Sequence, residues 1–215
     1  MLCSWYNNWT SILIEDIFKD HTRVIPTVGK IKQVDFFVDG IPFDLKMTYF
    51  PGGFMKKLRQ ERGLVSEELS ELKKAAKDFQ IPFDSKGYKN DLIIDLITAF
   101  YESSDEQAKT FYKKFISTRR EIINQTISNP RQLLVWLYEN QGNQRFDASN
   151  RLFLVVIDRN YLEDSWKIKR DYQLLKREIE SYLDSHSFNL NKLLIQWYYQ
   201  GRNYQSYTDV LFVFK

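Results

Sequence analysis

The chain of 215 residues has a single cysteine, Cys3, so no intrachain disulfide can form and no cysteine metal knuckle exists. One thiol in a chain of this size fits a reducing compartment, and the cytoplasm is the expected location. Proline and glycine are scarce, at five and eight residues, which argues against long disordered linkers. Strong net charge is missing too: 31 basic and 28 acidic side chains leave +3, too little alone to name a nucleic-acid partner. No run is long and apolar enough to span a membrane. The opening residues, Met1 to Asp20, hold Trp, Asn and acids where a signal peptide would carry a basic start and an apolar run. Several catalytic signatures are absent: no GxSxG, no phosphate-binding glycine loop, no HExxH and no convincing Cys–His pair.

What the chain has is aromatic side chains and clear hydrophobic patterning, with 16 Phe, 13 Tyr and 5 Trp. Residues Trp5 to Asp20 read as an amphipathic helix, since Trp9, Leu13 and Ile17 recur every fourth residue. Two β-rich runs follow, Gln33–Val38 and Ile41–Phe50, joined by Asp39-Gly40 and closed by Pro51-Gly52-Gly53. From about Met55 to Tyr138 the pattern is helical, with helices expected over Glu67–Phe79, Asp91–Tyr101, Glu106–Asn124 and Pro130–Asn140. Arg151–Ile157 is an unbroken β-branched and aromatic run and reads as a central strand buried on both faces. Ser165–Ser185 reads as one helix with Trp166, Ile168, Tyr172, Leu175, Ile179 and Leu183 as its core stripe. Strands are expected over Lys192–Tyr199 and Thr208–Lys215, around a turn at Gly201-Arg202-Asn203. The order predicts an α/β architecture: a mixed central β-sheet flanked by helices. Its halves, residues 1–54 and 151–215, would enclose an inserted helical block over 55–150.

The most informative segment is the hairpin. Asp-Gly between two β-prone runs favours a two-residue type I′ turn, because both central residues need positive φ. If Asp39 and Gly40 are those residues, Val38 faces Ile41, Phe36 faces Phe43 and Asp35 faces Asp44. Val34, Phe36, Val38, Ile41, Phe43, Leu45 and Met47 then share a core side, while Asp35, Asp44, Lys46 and Thr48 share the other. Opposed residues have Cβ atoms only ~4.5–5.5 Å apart, so two carboxylates there repel unless a positive charge sits between them. Lys46 supplies one. Mg²⁺ would supply more, since it takes a carboxylate or two with waters and substrate phosphate. An ordinary solvated hairpin face carrying Asp, Asp, Lys and Thr is the competing reading.

An Asp on one strand, a turn, then Asp44-Leu45-Lys46 on the next resembles the PD-(D/E)XK superfamily of restriction endonucleases, junction resolvases and repair exonucleases. Asp35 matches the lone Asp, and Thr48 a frequent polar position after the triplet; Val34 stands where the family's proline would be. The resemblance implies a restriction-endonuclease-like core, with a third strand around Thr22–Val28. It also implies an acid from the first helix, for which Glu15 is the candidate and Asp16 the rival. It implies DNA phosphodiester hydrolysis in which Asp35, Asp44 and the Leu45 carbonyl hold Mg²⁺, with Mn²⁺ a possible substitute, and Lys46 orients or activates water. A restriction-type endonuclease acting on duplex DNA comes first, and cutting both strands would favour a symmetric homodimer. A repair or junction nuclease, a non-catalytic nucleic-acid binder and a partner-binding protein with an aromatic surface stay open.

Ser70–Pro82 followed by Lys86–Ile93 resembles the helix–loop–helix SAP fold, around 66–101, with Leu72, Ala76, Phe79 and Ile81 as its core. A plain helical insertion is the favoured reading. Basic clusters sit at Lys56, Lys57, Arg59 and Arg62, at Lys113, Lys114, Arg119 and Arg120, and at Lys167, Lys169 and Arg170. Singly, each reads as a solvated helix face balanced by nearby acids. Arg131, Asn140, Gln144 and Arg145 flank a polar loop and could read bases or phosphates, while His21 and His186 read as surface or capping histidines.

Overall fold

A computed structural model describes residues 2–28, 33–140 and 150–215, with side chains from Trp9 onward in the first stretch. The chain begins with α1 (Leu2–Lys19), β1 (Val24–Pro26), β2 (Phe36–Val38) and β3 (Ile41–Tyr49). Helices α2 (Gly52–Glu61), α3 (Glu68–Asp78), α4 (Lys89–Glu102), α5 (Glu106–Ser128) and α6 (Arg131–Asn140) follow. Then come β4 (Arg151–Ile157), a 3₁₀ helix (Leu162–Arg170), α7 (Tyr172–Ser185), α8 (Leu190–Leu193), β5 (Leu194–Tyr199) and β6 (Arg202–Phe214). The chain divides into two compact units. The first holds Met1–Tyr49, Pro130–Ile157 and Ser165–Lys215, and the second Phe50–Asn129 with Asp158–Asp164.

The first unit is α/β. Among the described residues its six strands run in the order β1-β2-β3-β4-β6-β5. The sheet is mixed: β1, β2 and β3 are antiparallel, β3, β4 and β6 parallel, and β5 closes antiparallel on β6. The turn between β2 and β3 has φ of 50° at Asp39 and 81° at Gly40, as a type I′ turn needs. It sets the expected register, Val38 to Ile41, Phe37 to Pro42 and Phe36 to Phe43. The strand expected near Thr22–Val28 is β1, paired with β2. Every residue of β4 is buried, which suits a strand between two parallel neighbours.

Alternation sorts the side chains onto two faces. Phe36, Val38, Ile41, Phe43, Leu152, Leu154, Val156, Leu211 and Val213 meet Ile14, Ile17 and Phe18 of α1 and Leu175, Ile179 and Leu183 of α7. On the other face Tyr138 of α6 meets Phe153 edge-on and Trp197 at 5.0 Å between ring centroids. α6, expected within the helical block, therefore packs on β5 and β6 of the first unit.

Two elements differ from the sequence reading for a common reason: apolar residues on both sides of a helix hide which side is the core. Trp9 and Leu13 of α1 are 52% and 39% exposed, while Ile14, Ile17 and Phe18 are buried. The helix expected over Ser165–Ser185 is broken at Asp171, which caps α7 by accepting from the Leu174 N–H. The break turns Trp166 and Tyr172 outward and leaves Ile168, Leu175, Ile179 and Leu183 in the core.

The second unit is helical. Leu72, Ala75 and Ala76 of α3 pack with Ile93, Leu96, Ile97 and Phe100 of α4 and Ala108 and Phe115 of α5. Helix α2, not resolved as a separate helix by the hydrophobic pattern, starts directly after Pro51, whose fixed φ suits a helix entrance. The N-cap of α3 is Glu67. Asp105 caps α5 by accepting from the Gln107 N–H at 2.7 Å. Among the described residues no helix is long and apolar enough to cross a membrane.

Candidate functional site

The hairpin leads straight to a cluster of charged groups. The β2–β3 ladder stops at Phe36 and Phe43. At Asp35 the chain bends: its N–H still reaches the Phe43 carbonyl at 2.8 Å, but its side chain turns to β3 and accepts the Leu45 N–H at 2.8 Å. A side-chain oxygen thus takes a bond that another strand would have taken, satisfying a backbone donor. Leu45, Met47 and Tyr49 lean into the core, so Asp44, Lys46 and Thr48 are left on the opposite face by alternation.

Asp44 is 8% exposed and sits between two cations. The Lys46 ammonium donates to Asp44 Oδ1, and Arg151 Nε lies 3.7 Å from Oδ2. Lys46 remains 42% exposed, whereas Arg151 is buried, with its guanidinium 4.7 Å above the Tyr138 ring. The Arg151 Nε–H donates to no hydrogen-bond partner. This pairing follows from topology, because parallel strands β3 and β4 place Asp44 beside Arg151 in register.

Asp35 is the group under most electrostatic pressure. Burial pushes its carboxyl above the usual aspartate range. The Leu45 N–H pulls it back, Glu15 and Asp44 push it up again, and Lys46 offsets part of that. Among the described residues no Lys or Arg lies within ion-pair distance of Asp35. Glu15 is the acid of α1 that bears on Asp35; Asp16 does not figure among its perturbing charges, although both act on Lys19. Glu15 itself is paired with Lys19 one turn on.

All four expected site residues, Glu15, Asp35, Asp44 and Lys46, therefore belong to one electrostatic neighbourhood. The Leu45 carbonyl is part of it, 3.5 Å from the Lys46 ammonium. Among the described residues no three or more His, Cys, Asp or Glu side chains converge into an all-protein metal cage. Thr48 donates to the Tyr49 carbonyl at 3.2 Å.

Two residues emerge that the sequence reading missed. Arg151 was read only as the first residue of a strand. Asn150, at the end of the polar loop, accepts the Asp44 N–H through its carbonyl at 2.8 Å, donates to the Pro42 carbonyl and accepts the Tyr207 N–H. It ties β3 to β6 beneath Asp44. No local pattern announces either, since their partners lie more than fifty residues away in the chain.

The remaining candidates fall elsewhere. Arg131 of α6 donates to the Gln196 carbonyl of β5, and Asn140 to the Trp136 carbonyl one turn back in α6. Gln144 and Arg145 lie outside the described residues. His21 pairs with Asp184, and His186 caps the C-terminus of α7 and meets Asp209 at 2.6 Å. Asp209 also accepts the Tyr182 hydroxyl, whose pKa burial and the same carboxylate raise well above the usual tyrosine value.

Compared with family models, with curated proteins and with solved structures, the chain matches none.

Proposed function

We propose that the protein is a Mg²⁺-dependent endonuclease that hydrolyses DNA phosphodiester bonds, built on a restriction-endonuclease-like core. The reading rests on one observation: Asp35, just before β2, accepts the Leu45 N–H and so borders the Asp44–Lys46 pair of β3, where burial, Glu15 and Asp44 push its carboxyl up. Structural ion pairs lower a carboxyl's pKa; surplus negative charge raises it and marks a site built for a ligand.

The donor set fits the ion. Asp35, Asp44 and the Leu45 carbonyl are hard oxygen donors, and Mg²⁺ binds through one or two carboxylates while keeping waters and phosphate oxygens. When bound, the ion would polarise the phosphate and lower the pKa of its water.

The chain's own residues have separate tasks. The Leu45 N–H fixes Asp35 Oδ2. Asn150 and Arg151 hold the backbone and carboxylate of Asp44 from the sheet side. Lys46, the more exposed cation, orients the attacking water with its ammonium and offsets charge growing on the phosphoryl oxygens. Glu15 acts through Asp35, whose carboxyl it helps push up.

Incubating the protein with duplex, single-stranded and branched DNA, in Mg²⁺ or in EDTA, tests the proposal. Mg²⁺-dependent cleavage is expected, with a restriction-type cut in duplex as the leading outcome. Cleavage equal in EDTA and Mg²⁺, or in wild type and Asp44→Ala, refutes it.

A further inference from the structure

The third basic cluster, Lys167, Lys169 and Arg170, takes no part in the site above. It lies on the 3₁₀ helix, where side chains three apart are stacked on one edge. The resulting period of three sorts the residues without ambiguity. Ser165 and Ile168 form the inward edge, at 1% and 0% exposure. Trp166 and Lys169 share a second edge, and Lys167 and Arg170 the third. An α-helical spacing would set the same four residues on an arc of about 160°, and the 3₁₀ spacing narrows it to about 120°. The 3₁₀ spacing brings one indole and three cations to the two outward edges.

The aromatic and basic groups are in contact. The Arg170 guanidinium carbon lies 4.5 Å from the Trp166 ring centre and the Lys167 ammonium 5.8 Å. Both distances are within cation–π range. Trp166 is still 38% exposed, a large apolar area to leave in water when Ile168 already anchors the element. Lys169 lies 4.5 Å over the ring of Tyr49, the last residue of β3, the strand that bears Asp44 and Lys46. Tyr172, one turn on, adds a second exposed aromatic at 42%.

We propose that this face binds a single-stranded segment of nucleic acid, with an unpaired base stacked on Trp166 and the flanking phosphates met by Lys167, Lys169 and Arg170. Exposed aromatics interleaved with cations suit single strands because every base offers a π-face, whereas a duplex hides its bases and needs only charge. The class of partner rests on the nuclease reading; the platform rests on the 3₁₀ period and the ring contacts. The substrate would then carry an unpaired stretch.

Fluorescence anisotropy with a labelled oligo-dT of about 20 nucleotides and a duplex of equal length tests this, using the full chain in EDTA so that no cleavage occurs. Wild type is expected to prefer the single strand. Trp166→Ala should lose about tenfold on it and little on the duplex, and Trp166→Phe should recover most of the loss. Lys167→Gln with Arg170→Gln should flatten the salt dependence by about 1.4 in slope. Both sites are exposed, so the variants should fold, which circular dichroism checks. Wild-type affinity in Trp166→Ala overturns this inference alone and leaves the nuclease reading to the cleavage assay. Binding to phosphatidylserine vesicles but to no oligonucleotide overturns it in favour of a lipid surface. No binding to either nucleic acid, with no cleavage, overturns both readings.

Discussion

The two units treat buried charge in opposite ways. In the second, Arg119 is 5% exposed and donates to Glu68 and to Glu163 through bonds of 2.7 to 3.2 Å. Burial pulls its pKa down, but the two glutamates outweigh it and the net shift is upward. Arg59 beside it meets Glu71 and the Val65 carbonyl, and both guanidinium groups lie over the Phe115 ring. Each charge has a partner of opposite sign. In the first unit the acids gather instead: Glu15 and Asp44 each have a cation, while Asp35 has a backbone N–H and two acidic neighbours. Charges that answer one another hold a fold together. Under the proposed function, a bound ligand would complete the Asp35 carboxylate that the fold leaves under pressure.

That contrast can be broken most directly by chemistry. Asp44→Ala or Lys46→Ala is expected to cut plasmid cleavage by about a thousandfold or more while the circular dichroism spectrum and DNA binding persist. The second unit should respond in stability instead. Arg119→Met strands Glu163 in a buried site and leaves Glu68 only Arg59, 3.7 Å away, and should cost about 3–5 kcal/mol in urea unfolding, with little change in cleavage by the folded protein. A loss below about 1 kcal/mol would show that this network is surface-like and that the contrast is false.

Smaller effects sharpen the comparison. Asp35→Asn should stabilise the metal-free protein, raising Tm by about 2 °C at neutral pH while removing cleavage. The sign follows from the raised carboxyl. Folded Asp35 takes up its proton more readily than unfolded Asp35, so stability falls as pH rises from the usual aspartate range through the raised value. Below that range both states are protonated, and the two proteins should converge. Adding Mg²⁺ should then raise the Tm of wild type and leave Asp35→Asn unmoved. Smallest of all, Glu15→Gln should relieve Asp35 without removing a ligand, slowing cleavage by about tenfold or less. No change in the pH profile of Tm would take Glu15 out of the site.

Much of this was legible in short-range pattern. Asp39-Gly40 set the β2–β3 register through φ alone, and that register sorted Asp44 and Lys46 from the core residues. The apolar run Arg151–Ile157 placed β4 at the centre of the sheet. The failures have physical causes. Trp166 and Tyr172 continue a helical apolar spacing across Asp171, so the cap that breaks the helix was hidden. Strand β6 starts at Arg202, before any apolar run, because its polar first half is held by pairing with β5. Asn150 and Arg151 are ordinary residues locally; topology alone brings them to Asp44.

Strands β3 and β4 sit side by side, yet the Asn150 bond to Pro42 closes a loop of 108 residues. Hairpin formation is fast and local, but pairing across such a separation waits until the intervening helices are made and collapsed. A nascent chain ending before Arg151 would carry Glu15, Asp35, Asp44 and Lys46 with β2 paired to β3 but without β4, which brings Arg151 beside Asp44. Assembly of the site is therefore among the last events of folding, and a ribosome-bound fragment with every motif residue should be inert.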